Sequence, residues 1–200
     1  MSTLKVDTIL KRTGTGTITL GQSGDTISIP SGATLNATTI QQGGTDIIQG
    51  PKVDDFWLLT SSFQGDADPI SSNLSKIISV TSNVMTESSG IFTFPLTGYY
   101  SVIWNVVARL DSGDSRGHWY TRFTTDNSSY DFFSASMTFA STGTNSYTST
   151  MSQRFVDVTD TSLCKIKFGV DVTNTDVYTR GGSAPGETAN RFFFTRLGDT

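Results

Sequence analysis

Beyond residue 50, apolar residues recur at every second position in short runs, the period of a strand with one buried face. Ile166, Phe168, Val170 and Val172 alternate with polar neighbours, and Phe192 and Phe194 repeat the pattern near the end. The runs predict strands at 56–63, 77–80, 91–96, 99–110, 118–125, 132–139, 148–158, 163–173 and 191–197. Turn chemistry separates them, as at Gly65-Asp66-Ala67-Asp68-Pro69, Asp126-Asn127-Ser128-Ser129 and Gly181-Gly182-Ser183. The stretch Gly90–Tyr100 organises the rest. Phe92, Phe94 and Leu96 share one parity, Pro95 points to a strand end or an edge, and Gly98 supplies a turn. The next strand is apolar on both parities from Tyr99 to Val107. One of its faces serves a core; the other needs a cover, which a second subunit would supply. Short strands without a helical stretch predict an all-β sandwich or jelly roll.

Residues 1–45 follow another rule. Ile9, Ile18 and Ile27 are spaced by nine, each after a threonine, and Leu20 and Ile29 occupy equivalent places in the second and third units. Each unit offers one small strand and a Gly/Ser turn. Such units bury nothing alone and need neighbours. Too few are present for a self-sufficient solenoid, so the expectation is a trimeric β stalk over 1–50, wound from several copies of the chain. Gly43–Lys52 reads as the junction, and residues 51–200 as the head.

Composition supports the β reading. The 200 residues include 13 Phe, 6 Tyr and 3 Trp, which concentrate the apolar area, and only two Glu, Glu87 and Glu187. A net charge of −4 without a basic stripe predicts no nucleic-acid partner. The single Cys164 excludes an intrachain disulfide. The N-terminus shows no secretion-signal pattern, and no run is long and apolar enough to predict membrane insertion.

Candidate chemistry is sparse. The only histidine, His118, lacks partners at metal or triad spacing. Cys164 reads as a small buried hydrophobe. Asp54-Asp55 and Asp111/Asp114 are the nearest candidates for a carboxylate pair, but loop aspartates are ordinary turn formers. Gly14-Thr15-Gly16 lacks the ending of a phosphate loop. No enzyme activity and no cofactor are expected. Calcium is the one metal the loops could serve, through Asp111 and Asp114 or through Asp126, Asn127 and Asp131. Trp119 and Tyr130, near loops, are candidate receptor-facing aromatics.

Phe92-Thr93-x-Pro95-x-x-Gly98-x-Tyr100-x-Val102 resembles the strand–turn–strand signature of C1q-like domains, compact trimeric jelly rolls related to tumour necrosis factor. Asp55-Phe56-Trp57-Leu58-Leu59, Asp160–Phe168 and Phe192–Leu197 fit the family's order, although the last strand lacks the usual glycine between its aromatics. The resemblance implies a homotrimer with aromatics on its axis. Phe92, Phe94, Tyr100, Phe168, Phe192 and Phe194 are expected there or in the monomer core, the core being the plainer reading for each. Gly24-Asp25-Thr26-Ile27-Ser28-Ile29-Pro30-Ser31-Gly32-Ala33-Thr34-Leu35 resembles segments of bacteriophage tail-fibre and other virion proteins. Together these imply a structural virion protein, made in the host cytoplasm. Its stalk would hold other virion proteins, and its head would meet a host-surface glycan or protein. The alternatives are a capsid decoration protein anchored by the N-terminal segment, a free C1q/TNF-like ligand and a depolymerase. The lack of a collagen-like Gly-x-y stalk weighs against the ligand, and the missing catalytic constellation against the depolymerase.

Overall fold

The structure, a computed structural model, describes residues 26, 31–34, 41–42, 45–46, 53–79, 81–113, 115–139, 145–183 and 187–200; for 41–42, 45–46, 115 and 134–139 the backbone alone is described. The chain divides into two units, Met1–Ile48 and Gln49–Thr200. In the first, β1 (Gln41–Gln42) pairs antiparallel with β2 (Thr45–Asp46). Ile9, Ile18, Leu20, Ile27 and Ile29, the apolar repeat expected to build a stalk, lie outside the described residues.

The second unit is all-β among the described residues. Its strands are β3 (Asp54–Leu59), β4 (Phe63–Gln64), β5 (Leu74–Ser79), β6 (Thr86–Ser88), β7 (Ile91–Thr93), β8 (Gly98–Leu110), β9 (Ser115–Thr124), β10 (Phe133–Phe139), β11 (Ser146–Val158), β12 (Lys165–Val172), β13 (Val177–Thr179) and β14 (Arg191–Gly198). All pairings are antiparallel. A five-stranded sheet runs β10-β9-β12-β7-β6. A seven-stranded sheet runs β4-β13-β8-β14-β3-β5, with β11 also paired to β8. Strand β8 is its centre: β11 follows it from Gly98 to Leu110, while β14 and then β13 share its other edge.

The period-2 pattern becomes the core. Along β8, Tyr100, Val102, Trp104, Val106, Ala108 and Leu110 are buried, and Phe92, Ile166, Phe168 and Val170 answer from the smaller sheet. Phe168 sits at the middle of an aromatic cluster, 4.6 Å from Phe192, 5.3 Å from Trp104 and 5.6 Å from Phe92 between ring centroids. The edge-on and tilted contacts suit the ring quadrupoles. Phe94 meets Tyr100 at 4.8 Å. Buried Asn190 supplies the polar tie, accepting from Trp104 Nε1 at 2.9 Å and donating to the Val107 carbonyl at 2.7 Å.

Several boundaries moved, for physical reasons. The strand expected over 91–96 stops at Thr93 because Pro95 has no N–H to give a ladder. The run expected over 56–63 is β3 and then a separate β4. Strands β6 and β13 were not expected; they are short, and Thr86-Glu87-Ser88 has no apolar alternation. Gly98 does more than turn the chain. Its φ is +132°, and a Cβ there would stand 2.2 Å from the Gly198 carbonyl oxygen and 2.7 Å from Arg196 Nε. That space holds the buried Arg196 guanidinium, which donates to the Thr97 carbonyl at 2.7 Å and pairs with Asp199.

Candidate functional site

The inner faces of the two sheets are closed, so interaction chemistry belongs to their outer faces. On the seven-stranded sheet, residues opposite one another in register form rows across the strands. Ile78, Phe56, Phe193 and Ile103 form one row across β5, β3, β14 and β8. The Phe56 and Phe193 rings stack at 5.0 Å, 8° from parallel. Flanking rows carry Phe155 beside Ser101 and Met151 beside Asn105. Phe155 is 67 % exposed and Met151 57 %, and Ile78, Tyr99, Tyr147 and Leu197 are also exposed. Isolated exposed hydrophobics are ordinary, but a contiguous group on one sheet face is the mark of an interaction surface. The two-parity apolarity of the Tyr99–Val107 run lies here.

The outer face of the five-stranded sheet is partly capped by its own charged side chains, with Phe132 left 55 % exposed. The Tyr120 ring lies over Gly169, where a Cβ would be 2.3 Å from the ring. Arg122 stands 5.0 Å over Tyr120 and 5.6 Å over Phe132. Lys167 stands 4.7 Å over Tyr130. Asp68 bridges the two cations, 2.9 Å from Lys167 and 3.4 Å from Arg122. The aliphatic stems and cationic heads cap the aromatic surface while keeping charge in water. Burial first, then the Asp68 charge, pushes the Tyr120 hydroxyl up to about 12.

Of the two candidate receptor-facing aromatics, the structure corrects one. Trp119 has no exposed surface, and its indole N–H donates to Thr179 Oγ1 at 3.1 Å. It points inward because β9 alternates, and its ring folds back over Gly117, whose missing Cβ makes room. Tyr130 is half-buried under Lys167. Phe92, Phe94, Tyr100, Phe168, Phe192 and Phe194 are all buried between the sheets of one protomer. Burial raises the Tyr100 hydroxyl to about 12, against the Arg196 charge; that hydroxyl donates to the Leu96 carbonyl at 2.8 Å and ties the turn before β8.

The carboxylates hold the fold. Asp55 is buried and accepts from Ser79 Oγ at 2.6 Å and from the Met85 N–H at 2.5 Å. Asp54 accepts from Thr195 Oγ1 at 2.9 Å, so the adjacent pair serves two separate places. Asp111 pairs with Arg109 at 2.7 Å, while Asp114 lies outside the described residues. The Ser129 N–H, the Thr124 hydroxyl and the Ser128 N–H hold the Asp126 carboxyl below the usual range. Partial burial opposes ionisation of Asp131, but the Arg154 hydrogen bond and the Phe123 N–H outweigh it and lower its pKa. Among the described residues, no group of three or more His, Cys, Asp and Glu is placed to hold a metal. Cys164 is buried and donates its backbone N–H to the Asp160 carbonyl at 2.8 Å.

Solved structures identify this architecture. The Eiger TNF of S. frugiperda superposes with a TM-score of 0.55 at 17 % identity, over 76 % of this chain and 96 % of that one. Murine APRIL gives 0.52 at 10 % identity, over 72 % and 98 %. The fold is a TNF/C1q-like jelly roll. The PRD1 vertex protein P5 is similar with a TM-score of 0.45 at 14 % identity over 75 % of this chain and 100 % of that one, a likeness too distant to argue from. The sequence matches no protein-family model and no curated protein. The sequence signal for the jelly roll was the Phe92–Val102 signature; Asn190, which ties Trp104 and Val107 of β8 to the Arg180 carbonyl, carried no signal.

Proposed function

We propose that the chain is a homotrimeric structural protein of a bacteriophage particle, with an N-terminal stalk that attaches to the virion and a jelly-roll head that meets the host surface. One observation carries the trimer: the apolar row of Phe56, Phe193 and Ile103 on the seven-stranded sheet, with the exposed Phe155 and Met151 on either side of it. Burying such side chains is worth about 1.5–3 kcal/mol each, which favours covering them with another copy. The resemblance of residues 24–35 to virion segments supports the particle role, and the nine-residue repeat supports the stalk. Three heads on one stalk would turn weak single contacts into useful avidity. The reading is non-enzymatic: the carboxylates described above are engaged in structural hydrogen bonds and ion pairs.

Labelling intact particles with antibody against residues 53–200 tests the particle role. Label on the tail supports a fibre. Label spread over the capsid makes the protein a decoration protein anchored by its N-terminal segment. Absence of label overturns the virion assignment.

A further inference from the structure

A cavity of about 560 Å³ opens beside the far end of the apolar sheet face, lined by Tyr147, Arg180, Glu187 and Thr188. Tyr147 and Arg109 are opposite each other at the starts and ends of β11 and β8, four residues beyond the Met151–Asn105 pair. At ~3.4 Å per residue this is about 14 Å from the nearest of the large apolar rows. Arg180 projects beside the exposed Tyr147 ring, its guanidinium carbon 5.8 Å from the centroid. That is the side chain's only partner among the described residues: it makes no hydrogen bond or ion pair, and its Nε is buried and unsatisfied. In a chain of net charge −4, a cation left unpaired beside an aromatic ring is poised for an anionic ligand. Its backbone is fixed: the Arg180 N–H donates to the Val107 carbonyl at 3.0 Å, and its carbonyl accepts from the Asn190 N–H and Nδ2, both at 2.9 Å. Glu187 turns its carboxylate to Ser183, accepting from the backbone N–H at 2.7 Å and from Oγ at 3.2 Å, and makes no ion pair with Arg180.

We infer that this cavity binds a saccharide carrying one carboxylate, an acidic sugar unit of a surface glycan. Arg180 takes the carboxylate through its planar donors. The apolar face of Tyr147 stacks on the sugar ring. The Thr188 hydroxyl and the free lone pairs of Glu187 meet ring hydroxyls. The inference rests on the host-surface reading for the origin of the sugar, while the site itself rests on the geometry. Titration of the full chain with N-acetylneuraminic acid and with glucuronic acid, followed by NMR with glucose as control, tests it. The expected result is saturable binding of at least one acid, none of glucose, and about tenfold weaker binding in both Arg180→Gln and Tyr147→Ala, with sedimentation unchanged. Failure of both acids to bind, equal binding of glucose, or full affinity in Arg180→Gln overturns the site. A change of oligomeric state in Arg180→Gln also overturns it, because Arg180 would then serve another copy. Acid binding by a protein that does not label particles would keep the site and sink the virion reading; blocked adsorption without acid binding would do the reverse.

Discussion

The two sheets of the jelly roll share one core and differ in what they show to water. The five-stranded sheet has Tyr120, Tyr130 and Phe132 on its outer side, and Arg122, Lys167 and Asp68 lie over them in part, Phe132 staying exposed. The seven-stranded sheet has Phe56 stacked on Phe193 between Ile78 and Ile103, with Phe155 and Met151 beside them. No ion-pair network covers this group among the described residues. A surface capped by its own charged side chains suits solvent, and a more apolar one suits an interface. The same alternation in sequence therefore serves two purposes, and the partner residues across the register decide which.

The largest expected effect strikes both sheets at once. Phe168→Ala should remove about 3–5 kcal/mol of stability by opening a cavity among Phe92, Trp104 and Phe192, measured by denaturant unfolding. A loss below ~1 kcal/mol would mean that the aromatic cluster is not the shared core. Next comes the apolar face. Met151→Asp with Phe155→Asp should dissociate the assembly while thermal unfolding of each protomer stays cooperative; an unchanged mass would move the interface elsewhere. On the smaller sheet, Arg122→Ala should cost only about 0.5–1 kcal/mol and leave the assembly intact. Loss of assembly there would abolish the distinction between the faces.

The smallest effect concerns acid. The carboxyl of Asp131 titrates below its unfolded value, so it contributes stability above about pH 3.9, lost as pH falls through the folded value. Asp131→Asn should be less stable than the parent at pH 7, by under ~1 kcal/mol because the Arg154 pair is partly exposed. The difference should vanish in strong acid. A constant difference across that range would show that the charge is not what matters.

Much of this was legible in the chain. The period-2 run located β12 because its inward residues are large and their neighbours are Lys165, Lys167, Gly169 and Asp171, while β8 and β14 were located by their density of aromatic and branched residues. The sequence also marked the excess apolarity of Tyr99–Val107. Trp119 was misplaced because it stands near the loop at the start of its strand, and only the fold shows its ring filling the space over Gly117. The tie made by Asn190 and the unpaired cation of Arg180 were invisible, because each depends on chains that meet only in three dimensions. Strand β13 was missed because Val177-Tyr178-Thr179 is too short to carry a period.

The central claim is that the outer face of the seven-stranded sheet joins copies of this chain. Sedimentation equilibrium of the intact protein at micromolar concentration tests it most directly, run beside the Met151→Asp, Phe155→Asp variant. The account predicts three times the monomer mass for the parent and the monomer mass for the variant. A monomeric parent, still folded, would contradict it.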